Sequence, residues 1–286
     1  GRLTRAVSLF EEILRTAPAV NVGTRISTNE RIAKLYRDLG DIQAARTAVS
    51  RAEDVFNERT RFPNNAFFEQ ERVALIERAR AEQYEVEGKF PLAEVSRRAA
   101  LRAREMDIPI NKERLTRKLY TITQGQVLNE RDYHALELAR NLKQQGKLTE
   151  SEALVRAALT RTLNRMSRYS TGTAQALGDL AEILRLQGRY HESEKLLEAV
   201  IDILLNGGAL PQSLLVVRAR RLLASILVDQ EKWPQAVNEF DLIISATNSD
   251  EELAQRVAVT SVDWGLALIK IGNAQKSVQM LEKLSS

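Results

Sequence analysis

Cysteine is absent from this sequence, and histidine occurs twice, at His134 and His191. Without thiols there is no disulfide framework, thiolate nucleophile, zinc–thiolate site or iron–sulfur cluster. Zinc held by imidazole needs ligands clustered about a helical turn apart; the two histidines are far apart in sequence, with no H-E-x-x-H around either. Both read as exposed polar residues. Glycine-rich phosphate loops are missing too: Gly207-Gly208 is a bare doublet, and neither G-x-x-x-x-G-K-[ST] nor G-x-G-x-x-G occurs. No G-x-S-x-G elbow supports a serine nucleophile. Apolar runs fall short of the roughly 18–20 residues that cross a bilayer. No catalysis, no metal, no cofactor and no membrane partner are therefore expected. The chain opens Gly1-Arg2-Leu3 with no apolar leader, so a cytoplasmic place within a longer chain is expected.

What is present is ordinary for a folded chain. Forty-two Lys+Arg face 38 Asp+Glu for a net charge of +4, with 28% charged and 44% hydrophobic residues. That charge balance carries no dominant nucleic-acid character.

The organising signal is a recurring phrase: GRLTRAV at Gly1, GDIQAAR at Gly40, GKFPLAE at Gly88, GKLTESE at Gly146, GRYHESE at Gly188, EKWPQAV at Glu231 and GNAQKSV at Gly272. Successive anchors lie 39, 48, 58, 42, 43 and 41 residues apart. Two residues past the anchor stand Leu3, Ile42, Phe90, Leu148, Tyr190, Trp233 and Ala274. Five past it the residue is always small: Ala6, Ala45, Ala93, Ser151, Ser193, Ala236 and Ser277. Positions nine and twelve past it are apolar except at Arg97. Offsets of 2, 5, 9 and 12 trace one face of an α-helix. Before the anchor a second register places Ala33, Ala81, Ala139, Ala181, Ala224 and Gly265 seven residues back, and Tyr or Leu four back. Two small columns imply that paired helices cross closely, where a large side chain would force the backbones apart. The anchor glycine suits the left-handed end of the first helix. Glu231 in that place predicts a looser or differently capped turn. Pro91 and Pro234 fit a first helical turn, and Thr149 with Glu152 fits a capping box.

These registers resemble the tetratricopeptide repeat: a small residue and Tyr or Leu in the first helix, a turn glycine, then Ala-x3-apolar in the second. ALGDLAEILRLQGRYHESEKLLEAV (176–200) and ALELARNLKQQGKLTESEALVRAAL (135–159) carry the likeness best. The spacings exceed the standard repeat and are more similar to the long repeats of kinesin light chains and of bacterial signalling proteins. The resemblance implies an all-α, right-handed α-α superhelix, a solenoid of helix hairpins. The expectation is a single solenoid over 1–286, six hairpins plus an N-terminal half repeat. First helices are predicted over roughly 25–39, 66–87, 130–145, 173–187, 214–230 and 255–271. Second helices are predicted over roughly 1–16, 41–58, 89–106, 147–166, 189–205, 233–246 and 273–285. The 58-residue interval predicts an irregular insert at about 106–130, either an extra helix or a long first helix interrupted near Gly125. Residues 95–118 hold eight basic side chains against three acidic. They read as a solvated helix face, with an anionic contact surface as the alternative.

Function in such a fold lies on the face lined by the first helices. The resemblance implies ligand contacts from first-helix residues outside the packing register. The candidate partner-binding residues are Glu30, Lys34 and Arg37; Arg78, Glu82 and Glu85; Tyr133, Leu136, Arg140 and Lys143; Gln175, Glu182 and Arg185; and Arg218 with Arg221. The sixth set, Val259, Val262, Leu266 and Ile269, is apolar. It would pack against a further repeat or bind a hydrophobic peptide. Repeats that grip chaperone C-terminal tails use an Asn that this chain replaces by Arg31, Ala79, Glu137, Asp179, Leu222 and Asp263. That partner is disfavoured. The expected function is a non-catalytic scaffold for a protein or peptide, with a sensor module of a larger bacterial protein as the alternative. Nucleic-acid binding through 95–118 and Arg218, Arg220 and Arg221 is the weakest reading, since no aromatics interleave with the basic residues.

Overall fold

The computed structural model describes residues 2–16, 22–58, 66–105, 117–165, 169–247 and 261–285. Side chains at 66–68, 117–129, 165, 247, 261 and 280–285 lie outside the described residues, as does the part of the basic stretch from 106 onward. The chain divides into two compact units, Gly1–Lys147 and Leu148–Ser286. The first contains α1 (Arg2–Thr16), α2 (Val22–Asp38), α3 (Ile42–Asn57), α4 (Ala66–Val86), α5 (Phe90–Glu105) and α6 (Arg117–Gln144). The second contains α7 (Leu148–Arg165), α8 (Thr171–Leu186), α9 (Tyr190–Asn206), α10 (Leu214–Asp229), α11 (Trp233–Thr247), α12 (Ser261–Lys270) and α13 (Ala274–Ser285). No strand occurs among the described residues. Consecutive helices pack in pairs, α2 on α3 and α4 on α5 in the first unit, α8 on α9, α10 on α11 and α12 on α13 in the second.

The small columns are the helix crossings. Ala33, Ala45, Ala81, Ala93, Ala181, Ser193, Ala224 and Ala236 have no exposed surface. Ser193 Oγ donates to the Ala181 carbonyl, and Ser277 Oγ donates to the Gly265 carbonyl at 3.3 Å. Each bond joins one small column directly to the other. A serine there satisfies its hydroxyl across the crossing, which is why it alternates with alanine. Ala6, on α1, is only half-buried. Larger apolar residues fill the space between crossings: Ile26, Val55 and Ile76 in the first unit, Leu197, Val200, Val216, Phe240, Trp264 and Leu268 in the second.

The turns correct one expectation. At Gly188 the backbone adopts φ 76°, with Gly188 N–H bonded to Arg185 O and Arg189 N–H to Leu184 O, both at 2.9 Å. Glu231 makes the same turn: φ 58°, with bonds to Val228 O at 2.9 Å and from Lys232 N–H to Leu227 O at 2.8 Å. The turn is neither looser nor differently capped; the glutamate holds the left-handed conformation and carries its strain. The Thr149–Glu152 capping box does not form. Thr149 lies inside α7, and the Glu152 carboxylate is taken by Arg156, Gln187 and Arg189. Pro91 and Pro234 occupy the second position of α5 and α11, where a missing N–H is harmless.

Glu152 belongs to a recurring clamp. The residue six past one anchor accepts hydrogen bonds from the residues on either side of the next anchor. Glu94 takes Gln145 at 2.8 Å and Lys147 at 2.6 Å. Glu152 takes Gln187 at 2.9 Å and Arg189 at 3.0 Å. Glu194 takes Gln230 at 2.9 Å and Lys232 at 2.7 Å. At the first turn the polarity is reversed, with Arg46 donating to Glu87 at 2.8 Å. Burial alone would raise the carboxyls of Glu94 and Glu152, but the bonds from Lys147, Gln145 and Arg98, and from Gln187, Arg156 and Arg189, prevail and hold each at about 2.

In the insert, α6 runs from Arg117 through Gly125 to Gln144 without a break. This is a long first helix, not one interrupted at that glycine; residues 106–116 lie outside the description.

Candidate functional site: the first-helix faces

In the first unit the candidate residues of α2, α4 and α6 are bound chiefly to one another. Glu30 is buried and paired with Arg78, and Arg37 is paired with Glu82. The Arg78 guanidinium lies 5.8 Å from the centre of the Tyr133 ring. Burial pushes the Glu30 carboxyl above its usual range, and it pushes the Tyr133 phenol up to about 12. Lys34 is exposed, and Lys143 is half-buried. Leu136 is buried in the core and does not reach the open face.

Arg97, the one break in the apolar columns, explains the rest of this ladder. Its side chain is 1% exposed, and it donates to Glu85 through Nε at 3.1 Å and Nη2 at 2.7 Å. A second carboxylate, Glu137, lies 3.4 Å away and also pairs with Arg140, while Asn141 donates to Glu85 at 3.1 Å. The column position of α5 thus holds a buried cation, matched by carboxylates that α4 and α6 project from their facing sides. Reading 95–118 as a solvated face therefore holds for the exposed Arg102 and fails for two of its described cations. Arg97 is buried, and Arg104, with a side chain 6% exposed, pairs with Glu130 at 2.6 Å. His134 is also a correction: it is 3% exposed, where the sequence suggested an exposed residue. Burial first, then Arg104, Arg78 and Arg97, lower its pKa to about 3, so it is neutral in the core. His191 is exposed as expected.

The first helices of the second unit are different. Arg185 of α8 pairs with Asp229 of α10 at 2.6 Å, and Ser225 of α10 bonds Asp263 of α12 at 3.2 Å. These contacts set the three helices side by side. Arg218 and Arg221 precede Ser225 by seven and four residues and so share its face. Both are exposed and form no ion pair among the described residues, whereas Arg220 is tied to Glu239 at 2.7 Å. Gln175 is exposed and Glu182 half-buried on α8. Between them, Gly178 is a helix-interior glycine, and an added Cβ would meet nothing within 4 Å. On α12, Val262, Leu266 and Ile269 are 74%, 41% and 54% exposed, while Val259 lies outside the described residues. No group of three or more potential metal ligands occurs among the described residues, and no described helix is long and apolar enough to cross a membrane.

Paired helices with small-residue crossings, left-handed turns and an open first-helix face define an α-helical hairpin repeat protein. Residues 132–206 match the model described as tetratricopeptide repeat. A putative kinesin light chain of Podosopora anserina with nearly identical TPR-like repeats is similar at 15% identity and TM-score 0.57, over 78% of this chain and 96% of that one. A signal-transduction ATPase with numerous domains and a tetratricopeptide repeat sensor, from Pyrococcus horikoshii, is similar at 11% identity and TM-score 0.65, over 100% of this chain and 39% of that one. A Rap protein complexed with competence and sporulation factor is similar at 12% identity and TM-score 0.61, over 97% of this chain and 78% of that one. A comparison with curated proteins finds no match.

Proposed function

We propose that the chain is a non-catalytic scaffold that binds a protein or peptide partner on the faces of its first helices. The observation that carries this reading is the second unit's open face. Arg218 and Arg221 are exposed there without ion-pair partners, beside apolar side chains that no described residue covers. Isolated exposed apolar residues are ordinary, but a stripe at helical spacing next to unmatched charge marks a contact surface. The repeat fold supports protein interaction as its general use, and the Rap neighbour is described with a bound factor. A second reading, a sensor module of a larger signalling protein, is favoured by one comparison: this chain aligns in full with 39% of a protein that carries such a sensor.

Site-specific photo-crosslinking tests the reading. A photoreactive residue at Gln175 or Lys34, on first helices, is expected to capture the same protein from a source lysate. One at the exposed Lys195 of the second helix α9 is expected to capture none. Capture from Lys195 alone would move the contact to the opposite face and refute the reading.

A further inference from the structure

Within the first unit, α1, α2 and α3 enclose a cavity of about 360 Å³, at the small end of ligand-binding clefts. Each helix contributes residues three or four apart, which share one side: Leu14 with Glu11 on α1, Asn29 with Arg25 on α2, and Asp54 with Arg51 on α3. Two ion pairs frame it. Arg51 donates to both carboxylate oxygens of Glu11, at 2.8 and 3.0 Å, and Arg25 lies 3.6 Å from Glu58. What these pairs leave over is balanced. Asn29 is 3% exposed; its Nδ2 donates to the Arg25 carbonyl at 2.9 Å, and its buried Oδ1 has no hydrogen-bond partner. The buried Nε of Arg51 has none either. Arg15 and Asp54, exposed members of the same lining, form no ion pair among the described residues. One acceptor, one donor, one cation and one carboxylate thus lack a counterpart.

We propose that this cavity binds a small zwitterion, a free α-amino acid with an aliphatic side chain, at a site separate from the partner surface above. The ammonium supplies the missing donors, to the Asp54 carboxylate and to Asn29 Oδ1. The carboxylate accepts from the Arg15 guanidinium and from Arg51 Nε, charge-assisted bonds of the stronger kind. Leu14 and Val55 give the side chain an apolar surface. Simple ions fit less well. A metal cation would face three arginines, and a phosphate would face Glu11, Asp54 and Glu58; either satisfies half of the set. The ligand would also join α1 to α3. Val7 is the one buried residue in the described part of α1, so binding should show as ordering of that helix.

Isothermal titration of the whole chain with L-alanine, L-valine and L-leucine tests this. Isoamylamine, isocaproate and glycine betaine serve as analogues that lack the carboxylate, the ammonium and the ammonium N–H in turn. The variants are Asp54→Asn, Arg15→Gln and, as a control on α9, Lys195→Gln. All three side chains are exposed and form no ion pair among the described residues, so folding is expected, and circular dichroism checks it. The expected result is saturable binding of an amino acid at one site per chain, with slower hydrogen exchange in α1. Affinity should fall at least tenfold with Asp54→Asn and with Arg15→Gln and stay unchanged with Lys195→Gln. Each analogue should bind at least tenfold more weakly than the amino acid, a comparison that needs no variant. No saturable binding by any of the three amino acids overturns the inference. So does binding that ignores both Asp54→Asn and Arg15→Gln, or an analogue that binds as tightly as the amino acid.

Discussion

Arg97 offers the sharpest test of the physical account, because the repeat pattern and the structure predict opposite signs. The pattern holds apolar residues at this position of the second helix, among them Val49, Val155, Leu197 and Phe240. Restoring that pattern with Arg97→Leu should therefore stabilise the fold if the column alone decides. The structure says otherwise. The guanidinium is 1% exposed and bonds Glu85 at 2.7 Å with Glu137 at 3.4 Å. Removing it leaves two carboxylates facing a buried site, and breaking a buried pair in this way costs about 3–5 kcal/mol. Burying a leucine returns about 1.5–3 kcal/mol. Glu85 and Glu137 are partly exposed and can hydrate, so the net loss is about 2 kcal/mol. Arg97→Leu combined with Glu85→Gln and Glu137→Gln removes the stranded charge and should recover at least half of it. Urea unfolding followed by far-ultraviolet circular dichroism reads the midpoints, and hydrogen exchange in α4 to α6 localises the change. A single variant as stable as the wild type would refute the reasoning.

Further outcomes follow from the turns and the titrating groups. Glu231→Gly relieves a left-handed residue that costs about 1–2 kcal/mol, less the extra chain entropy of glycine, and should raise the unfolding free energy by about 0.5–1 kcal/mol. Glu152 is held at about 2 against an ordinary value of 4.5, so its contribution is present above about pH 4.5 and is lost as the pH falls toward 2. Glu152→Gln should thus cost about 1 kcal/mol at pH 7 and nothing near pH 2, as measured by denaturant melts at both. His134, lowered to about 3, resists protonation in the fold, so stability should drop on acidification below about pH 6.5. The slope should be at most about 1.4 kcal/mol per pH unit, and His134→Leu should flatten it between pH 6.5 and 4.5.

The repeat architecture was legible because its strongest constraint is steric. A helix crossing admits only Ala, Ser or Gly, and that restriction shows as a column in one chain without any alignment. The helix pairs fall where the columns place them, with α2, α4, α6, α8, α10 and α12 each ending one residue before the predicted limit. The insert was ambiguous because residues 106–130 contain helical pattern and breakers together, and a glycine within a helix costs only about 1 kcal/mol. Charged side chains were read less well. Arg97 and His134 are polar by type, and the pattern cannot say that a polar side chain is buried when its partners lie 12 to 40 residues away. A signal for Arg97 did exist: a lone cation in an otherwise apolar column calls for carboxylates on the flanking helices, and Glu85 and Glu137 stand there. The inter-repeat clamp was equally visible as Glu at six past one anchor and Gln-Gly-Lys/Arg or Gln-Glu-Lys at the next. Glu30 and Leu136 were nominated by their first-helix positions alone; burial removes both from the open surface.

The claim that the first helices face the partner is tested most directly by hydrogen–deuterium exchange of the whole chain, alone and saturated with the protein captured by crosslinking. The account predicts new protection in α8, α10 and α12, centred on Arg218, Arg221 and Leu266. The second helices α9, α11 and α13 should be unchanged. Protection confined to α9, α11 and α13, with α10 unaltered, would contradict it.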